Sequence, residues 1–273
     1  MALRINYNLA SSSAQRGLSA SQDAYAKQAN RLSTGLRINS ASDDAAGMAV
    51  SEKLKNQVRG LNQAQRNAQD GISLIQTAEG GLAETHSLLA RMRELAVQSG
   101  NDTLSTSDRL NLSAEFTQLQ AEITRLASTV TFNSISLLNT AATKTLQIGA
   151  NSTDTLTVAT TDNTAATLLV DAATINITSQ TVSATALTAI DVAVNTVSTN
   201  RANLGATQSR LESVGRSLAI ASENTAAANS RVADADIAAS MSELVRAQIL
   251  QQAGISVLAQ ANQAPSLVLQ LLK

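Results

Sequence analysis

The chain has no cysteine, which excludes a disulfide framework and any thiolate metal centre. Aromatic residues are almost as scarce: Tyr7, Tyr25, Phe116 and Phe132 make up 1% of the sequence. A compact globular core draws much of its buried area from rings, so here burial has to come from aliphatic side chains. Lys and Arg (20) nearly balance Asp and Glu (21), for a formal net charge of −1. A protein that tracks nucleic-acid phosphates needs a clustered basic surface, so this balance makes no case for a nucleic-acid partner. No run reaches the ~18 apolar residues of a membrane span, so no membrane partner is indicated. Residues 1–17 hold no apolar core of the length a cleaved secretory signal needs. If the protein is exported, it leaves by a route that cleaves no signal peptide.

Catalytic parts are lacking too. The single histidine, His86, excludes a two-histidine metal site within the chain. A lone His on a helix flank is far more often a solvated or interface residue than a base or ligand. The carboxylate pairs Asp43/Asp44 and Asp234/Asp236 stand at predicted helix starts, where capping explains them. Gly60, Gly80 and Gly81 fall inside a helical pattern rather than between a strand and a helix, so no phosphate loop is indicated. No cofactor is implied and the chain is not read as an enzyme.

What the sequence does contain is periodicity. From Val50 to Ala96, Leu54, Leu61, Ala68, Ile75, Leu82, Leu89 and Ala96 fall seven apart without a miss. A second, mostly small line runs four residues ahead: Val50, Gln57, Ala64, Gly71, Ala78, Thr85 and Met92. Two such lines make the seam of a left-handed coiled coil. At about 1.5 Å per residue the stretch is about 70 Å long, and it cannot bury its seam on itself. The partner is near the other end of the chain, where Ile190, Val197, Leu204, Leu211, Leu218, Thr225 and Val232 are also seven apart.

The remaining segments follow from this pairing. Met1–Leu32 reads as a weak helix, with Leu18, Tyr25 and Leu32 seven apart, that is poorly ordered until it packs on something. Arg31–Gly47 is a turn-rich connector in which Ser42, Asp43 or Asp44 can cap the next helix. A shorter helix starts near Thr106, capped by Ser105 or Thr106, and carries Leu112, Phe116, Leu119, Ile123 and Leu126. Asn139–Thr181 is Thr-rich and nearly uncharged. There Leu146/Ile148 and Leu156/Val158 predict a hairpin, and Leu168, Val170, Ile175 and Ile177 predict one or two further short strands. Finally Ile237, Met241, Leu244, Val245, Ile249, Leu250, Val257 and Leu258 make another helix, whose apolar face Leu267, Val268, Leu269, Leu271 and Leu272 extend. Between Arg246 and Lys273 there is no charged residue, and the polar positions are mainly amides such as Gln248, Gln252 and Gln260. Such a helix is suited to burial against further copies of the chain.

The expected fold is therefore mainly α: an elongated antiparallel coiled coil or helix bundle with a small β-hairpin region at its tip. Residues 44–231 form a rod, with helices at about 44–100, 105–130 and 185–231 and a β region at about 140–181. Residues 1–43 and 232–273 supply terminal helices.

The motifs themselves resemble bacterial flagellin. RLSTGLRINSASDDAAG (Arg31–Gly47), GLNQAQRNAQDGISLIQTAEGGL (Gly60–Leu82), RELAVQSGND (Arg93–Asp102) and FNSISLL (Phe132–Leu138) are similar to its N-terminal half, and RAQILQQAGISVLAQANQAP (Arg246–Pro265) to its C-terminal signature. The short β region resembles that of a minimal, two-domain flagellin without large outer domains. The resemblance implies a structural subunit, exported by the flagellar type III apparatus, that self-assembles into the extracellular filament used for motility. The terminal helices of such proteins form the inner tube and the longer helices a shell around it. It also implies partners: further copies of the chain, an export chaperone, the filament cap, hook-associated proteins and, in animals, the flagellin-sensing Toll-like receptor. Carried over by position, the animal-receptor contacts are Arg91, Leu95 and Glu115, with Ala90 and Phe116 departing from the common form. The plant-receptor epitope is Asn30–Ser51, including Arg31, Asp43 and Asp44, with Leu36, Ser42 and Ser51 departing. A hook–filament junction protein, which shares the terminal helices, is the alternative.

Overall fold

The computed structural model describes residues 7–271, with side chains described through residue 263. The expected apolar extension at Leu267, Val268, Leu269, Leu271 and Leu272 lies outside the described side chains. The chain folds as α1 (Leu9–Thr34), α2 (Ala45–Ser99), α3 (Thr106–Thr129), β1 (Thr131–Phe132), β2 (Ile135–Ser136), β3 (Ala142–Gln147), β4 (Thr155–Thr160), α4 (Gln180–Ala233) and α5 (Ile237–Leu271). By contacts it divides into Gln57–Glu223 and a second unit of Met1–Asn56 with Asn224–Lys273. The division falls within α2 and α4.

Residues 57–223 hold the core. Both heptad lines of α2 are buried there: Leu61, Ala68, Ile75, Leu82, Leu89 and Ala96 in one, Ala64, Gly71, Ala78, Thr85 and Met92 in the other. On α4 Ala186, Ile190, Ala193, Val197, Leu204, Leu211 and Leu218 are buried. Polar ties between the two helices fix their direction. Ser222 Oγ donates to Asn62 Oδ1 (2.8 Å), Arg201 pairs with Glu79 (3.4 Å), Arg93 with Asp191 (2.7 Å), and Ser183 Oγ donates to Ser99 Oγ (3.1 Å). As the numbers rise on α2 they fall on α4, so the helices run antiparallel. Each fully buried Leu or Ile contributes about 1.5–3 kcal/mol of transfer free energy, so the aliphatic seam compensates for the scarcity of rings. α3 lays Phe116, Ile123 and Ala127 into the same core, and buried Gln120 donates to the Ile175 carbonyl (3.1 Å). Its start is a capping box: Ser105 Oγ accepts from Asp108 N (3.2 Å) while the Asp108 carboxylate accepts from Ser105 N (3.0 Å).

The predicted hairpin is β3–β4, antiparallel with Leu146 opposite Leu156 and Lys144 opposite Val158. The sequence placed it at the tip of the helical rod; instead it lies along the flank of α2. Asn67 Nδ2 donates to the Gln147 carbonyl (2.9 Å) and Ala150 abuts Gly60. A Cβ at Gly71 would stand 2.4 Å from Leu146 Cδ1. The physical reason is the run of bare backbone at Gly60 and Gly71, which leaves α2 a shallow track that the hairpin fills. The end of this unit is made instead by Ser99, whose Oγ donates to the Ile177 carbonyl (2.6 Å).

The further strands predicted at Leu168, Val170, Ile175 and Ile177 are not formed. These residues are buried, but in successive turns: Val170 N donates to Ala165 O (2.8 Å) and Ile175 N to Asp171 O (3.0 Å), and Leu169 stands at φ 57°. The Asp162 and Asp171 carboxylates accept from the Thr164 and Thr174 amides (3.0 and 3.1 Å), which bends the chain where a strand would continue. A hairpin not anticipated from the sequence, β1–β2, turns at Asn133 (φ 49°) and Ser134 (φ 63°). Two successive left-handed residues match a two-residue turn of the primed type.

In the other unit α1 and α5 pack antiparallel. Asn8 Nδ2 donates to the Ala261 carbonyl (2.8 Å), Ser11 Oγ to Asn262 Oδ1 (2.8 Å), and Leu18 lies against Gly254. The two connectors meet in a short antiparallel bridge between Leu36 and Asp234: Arg37 N donates to Ala233 O (2.7 Å) and Ala235 N to Gly35 O (2.9 Å). Gly35, at φ 71°, closes α1 with its N–H on the Arg31 carbonyl. Ser51 Oγ donates to Asn229 Oδ1 (2.8 Å), tying the start of α2 to the end of α4.

Candidate assembly interface

In α5 the less exposed residues are Ser240, Leu244, Ala247, Gln251, Gly254, Leu258 and Ala261, at alternating steps of four and three. In α1 they include Ser11, Ala14, Leu18, Ser21, Tyr25, Gln28 and Leu32, at the complementary steps. These are the facing seams of a two-helix coiled coil, each mixing small and large residues so that the backbones approach closely. The pairing covers little: no residue of α1 is buried, and α5 buries only Ser240 and Ala247 among its described side chains.

Outside its seam α5 is apolar on more than one side. Ile237, Met241, Val245, Ile249, Leu250, Ile255 and Val257 are all about half exposed or more. Neighbours such as Ile249 and Leu250 point about 100° apart, so these side chains do not form a single stripe. The interspersed polar groups are the Glu243–Arg246 ion pair, serines such as Ser242 and Ser256, and the neutral amides Gln248, Gln252 and Gln260. A helix that is apolar all round is one that neighbours bury, and α1 covers only one face of this one.

The positions carried over from the resemblance fall into two clusters. On α2 and α3, Arg91 pairs with Glu94 (2.9 Å) and with Glu115 (2.8 Å), and the side chains of all of them are exposed. The hydrogen bonds that Arg91 donates to the Glu94 and Glu115 carboxylates hold its guanidinium above its usual pKa. Leu95 is buried (1% exposed), so it supports this patch from behind and does not stand on it. A shallow groove of about 380 Å³ lies on the same stretch of α2 over Ala90, Arg93, Glu94, Val97 and Gln98.

In the connector, Asp43 and Asp44 do different work. The Asp43 carboxylate binds Lys27 Nζ (2.7 Å) and accepts from the Asn39 and Ser40 amides (3.2 and 3.3 Å). The Lys27 bond first, then the Asn39 amide, lower its pKa from 3.8 to about 2. Asp44 caps α2, its Oδ1 accepting from Gly47 N (2.8 Å). A Cβ at Gly47 would meet that carboxylate at 2.4 Å, so the cap depends on bare backbone there. Arg31 supplies the carbonyl that closes α1. Of the predicted seam residues, Leu61, Ile75, Leu82, Leu89, Val197, Leu204, Leu211 and Leu218 are buried, and Leu54 is half-buried.

Sequence reasoning missed the Leu36–Asp234 bridge and the bare flank of α2. The Asn-Ser pair between Phe132 and Ile135 was an available signal for β1–β2. Among the described residues no group of His, Asp or Glu converges as a metal site, and no helix is long and apolar enough to cross a membrane.

A chain that zips its own long helices together, and leaves one helix apolar on most sides, is a structural protein built to associate. Comparison with known proteins gives the class a family. Residues 5–145 match the bacterial flagellin N-terminal helical region and residues 187–272 the bacterial flagellin C-terminal helical region. The flagellin of Halalkalibacterium halodurans is 49% identical over 98% of this chain and 99% of its own length. That of Bacillus subtilis is 42% identical over 99% and 100%. The crystal structure of Bacillus cereus flagellin superposes with a TM-score of 0.51 at 31% identity, covering 56% of this chain and 88% of that one. A flagellar hook-associated protein of Vibrio parahaemolyticus shares the fold, with a TM-score of 0.59 at 14% identity over 70% and 100%. The chain belongs to the bacterial flagellin family, whose members are structural, non-enzymatic proteins of the extracellular flagellar filament.

Proposed function

We propose that this chain is the repeating subunit of a motility filament, with residues 1–43 and 232–273 forming the inner tube and residues 44–231 the surrounding rod domain. The observation that carries this reading is α5: Ile237, Met241, Val245, Ile249, Leu250, Ile255 and Val257 remain exposed after α1 has packed. Head-to-tail contacts that do not close generate a helical array, in which each copy covers the apolar sides of its neighbours. Purified monomer added to short filament seeds elongates them into long fibres visible by electron microscopy. Seeds that stall after a single added layer would instead mark a hook–filament junction protein.

The same reading adds finer partners. The export chaperone, the filament cap and the hook-associated proteins meet this chain before assembly or at the filament ends. The exposed Arg91–Glu115 pair, positioned by Leu95, is the surface for the animal flagellin-sensing Toll-like receptor. Arg31, Asp43 and Asp44 belong to the plant-receptor epitope. Arg91→Ala and Glu115→Ala each lower activation of the animal receptor by about ten-fold or more, with an unchanged circular dichroism spectrum. Activation by either variant equal to that of the unsubstituted chain would remove this assignment.

A further inference from the structure

The chain has four methionines, and the described ones differ sharply in exposure. Met92 is fully buried in the α2–α4 core (0%), Met48 is half-buried at the start of α2, and Met241 is 48% exposed on α5. Met241 lies one helical turn from Ile237 on one side and Val245 on the other, both exposed and apolar. Glu243 and Arg246, the nearest charged residues along α5, are occupied with each other at 3.2 Å. A sulfoxide at Met241 would therefore place a polar, chiral group on the helix face between the apolar side chains of Ile237 and Val245.

We propose that Met241 is an oxidation site that gates assembly: open to peroxides while the chain is free, and shielded once neighbouring copies cover α5. The inference rests on the reading of α5 as an inter-subunit contact. In the step itself the thioether sulfur attacks a peroxide oxygen. The O–O bond breaks, an S–O bond forms, sulfur gives up two electrons, and the peroxide leaves as water or an alcohol. The product is a sulfoxide, which is reducible. Burying it unpaired in an apolar contact is unfavourable, so the oxidised chain is left out of the growing array.

The test compares monomer and assembled filament treated with hydrogen peroxide, each digested and mapped by mass spectrometry, with treated monomer then offered to filament seeds. Met241 sulfoxide forms in monomer about ten-fold faster than Met92 sulfoxide, and far more slowly in filaments. Treated monomer elongates seeds at least about five-fold more slowly, and methionine sulfoxide reductase restores the rate. Met241→Leu keeps normal growth after treatment, whereas Met48→Leu does not protect. The proposal is overturned if treated Met241→Leu slows as much as the unsubstituted chain, if chains oxidised at Met241 grow normally, or if Met241 oxidises equally fast in filaments. Failure of untreated monomer to elongate seeds is a different result, and overturns the filament reading along with the proposal.

Discussion

Adjacent glycines in α2 show how finely the packing discriminates. A Cβ on Gly80 meets nothing within 4 Å, whereas one on Gly81 would stand 2.6 Å from Leu138 Cδ1 and 2.8 Å from Val130 Cγ2. Gly80→Ala therefore stabilises the chain by about 0.5–1 kcal/mol through helix propensity alone. Gly81→Ala destabilises by about 1–3 kcal/mol, because the β-branched Val130 has few rotamers into which to retreat. Urea unfolding of the two variants checks both signs. Asp43 supplies a pH dependence. Its pKa falls from 3.8 to about 2 in the fold, so its contribution is fully present above pH ~4 and is lost as pH drops through about 2. Protection of the Asn39 and Ser40 amides from hydrogen exchange should weaken over that window, and Asp43→Asn should abolish the pH dependence. Identical profiles in the two proteins would show that the carboxylate is not the fastener.

At the scale of elements, the two seams carry most of the stability. Leu82 is fully buried, and Leu82→Ala should cost about 2–5 kcal/mol in thermal or chemical unfolding. Both seams were legible in the sequence because a helix that buries one stripe repeats its residue types at a fixed period, as Leu61, Ile75, Leu82 and Leu89 do. The β3–β4 hairpin was legible for the same kind of reason, with Leu146 and Leu156 alternating against polar neighbours. Its position was not: whether a strand pair sits beyond a helix or beside it depends on what Gly60 and Gly71 leave vacant, and periodicity carries no such information. Leu168, Val170, Ile175 and Ile177 misled because inward-pointing residues two apart occur in consecutive turns as well as in strands. The deciding residues were Asp162 and Asp171, whose carboxylates capture the backbone. Among the candidate sites, Arg91 and Glu115 form an exposed ion pair, whereas Leu95 is interior. A motif shared with a family does not say which of its members face solvent.

For the whole molecule, apolar burial is distributed unevenly. The buried cluster running from Ala68 to Leu211 belongs to residues 57–223, while α1 buries nothing and α5 little. A chain trimmed to residues 45–233 should keep a cooperative unfolding transition and lose all seeded growth, measured by calorimetry and by electron microscopy. Loss of the transition would mean that the α1–α5 pair stabilises more than its burial suggests.

The seams also impose an arithmetic on length. Inserting one residue into α2 turns everything beyond it by about 100° and carries Leu82 and Leu89 off the seam they share with α4. Inserting a full seven there, matched by seven at the facing level of α4, brings every stripe back to its mate. Changes of size in these helices are thus permitted in paired steps of seven, much as a zip can be lengthened only by whole teeth on both tapes.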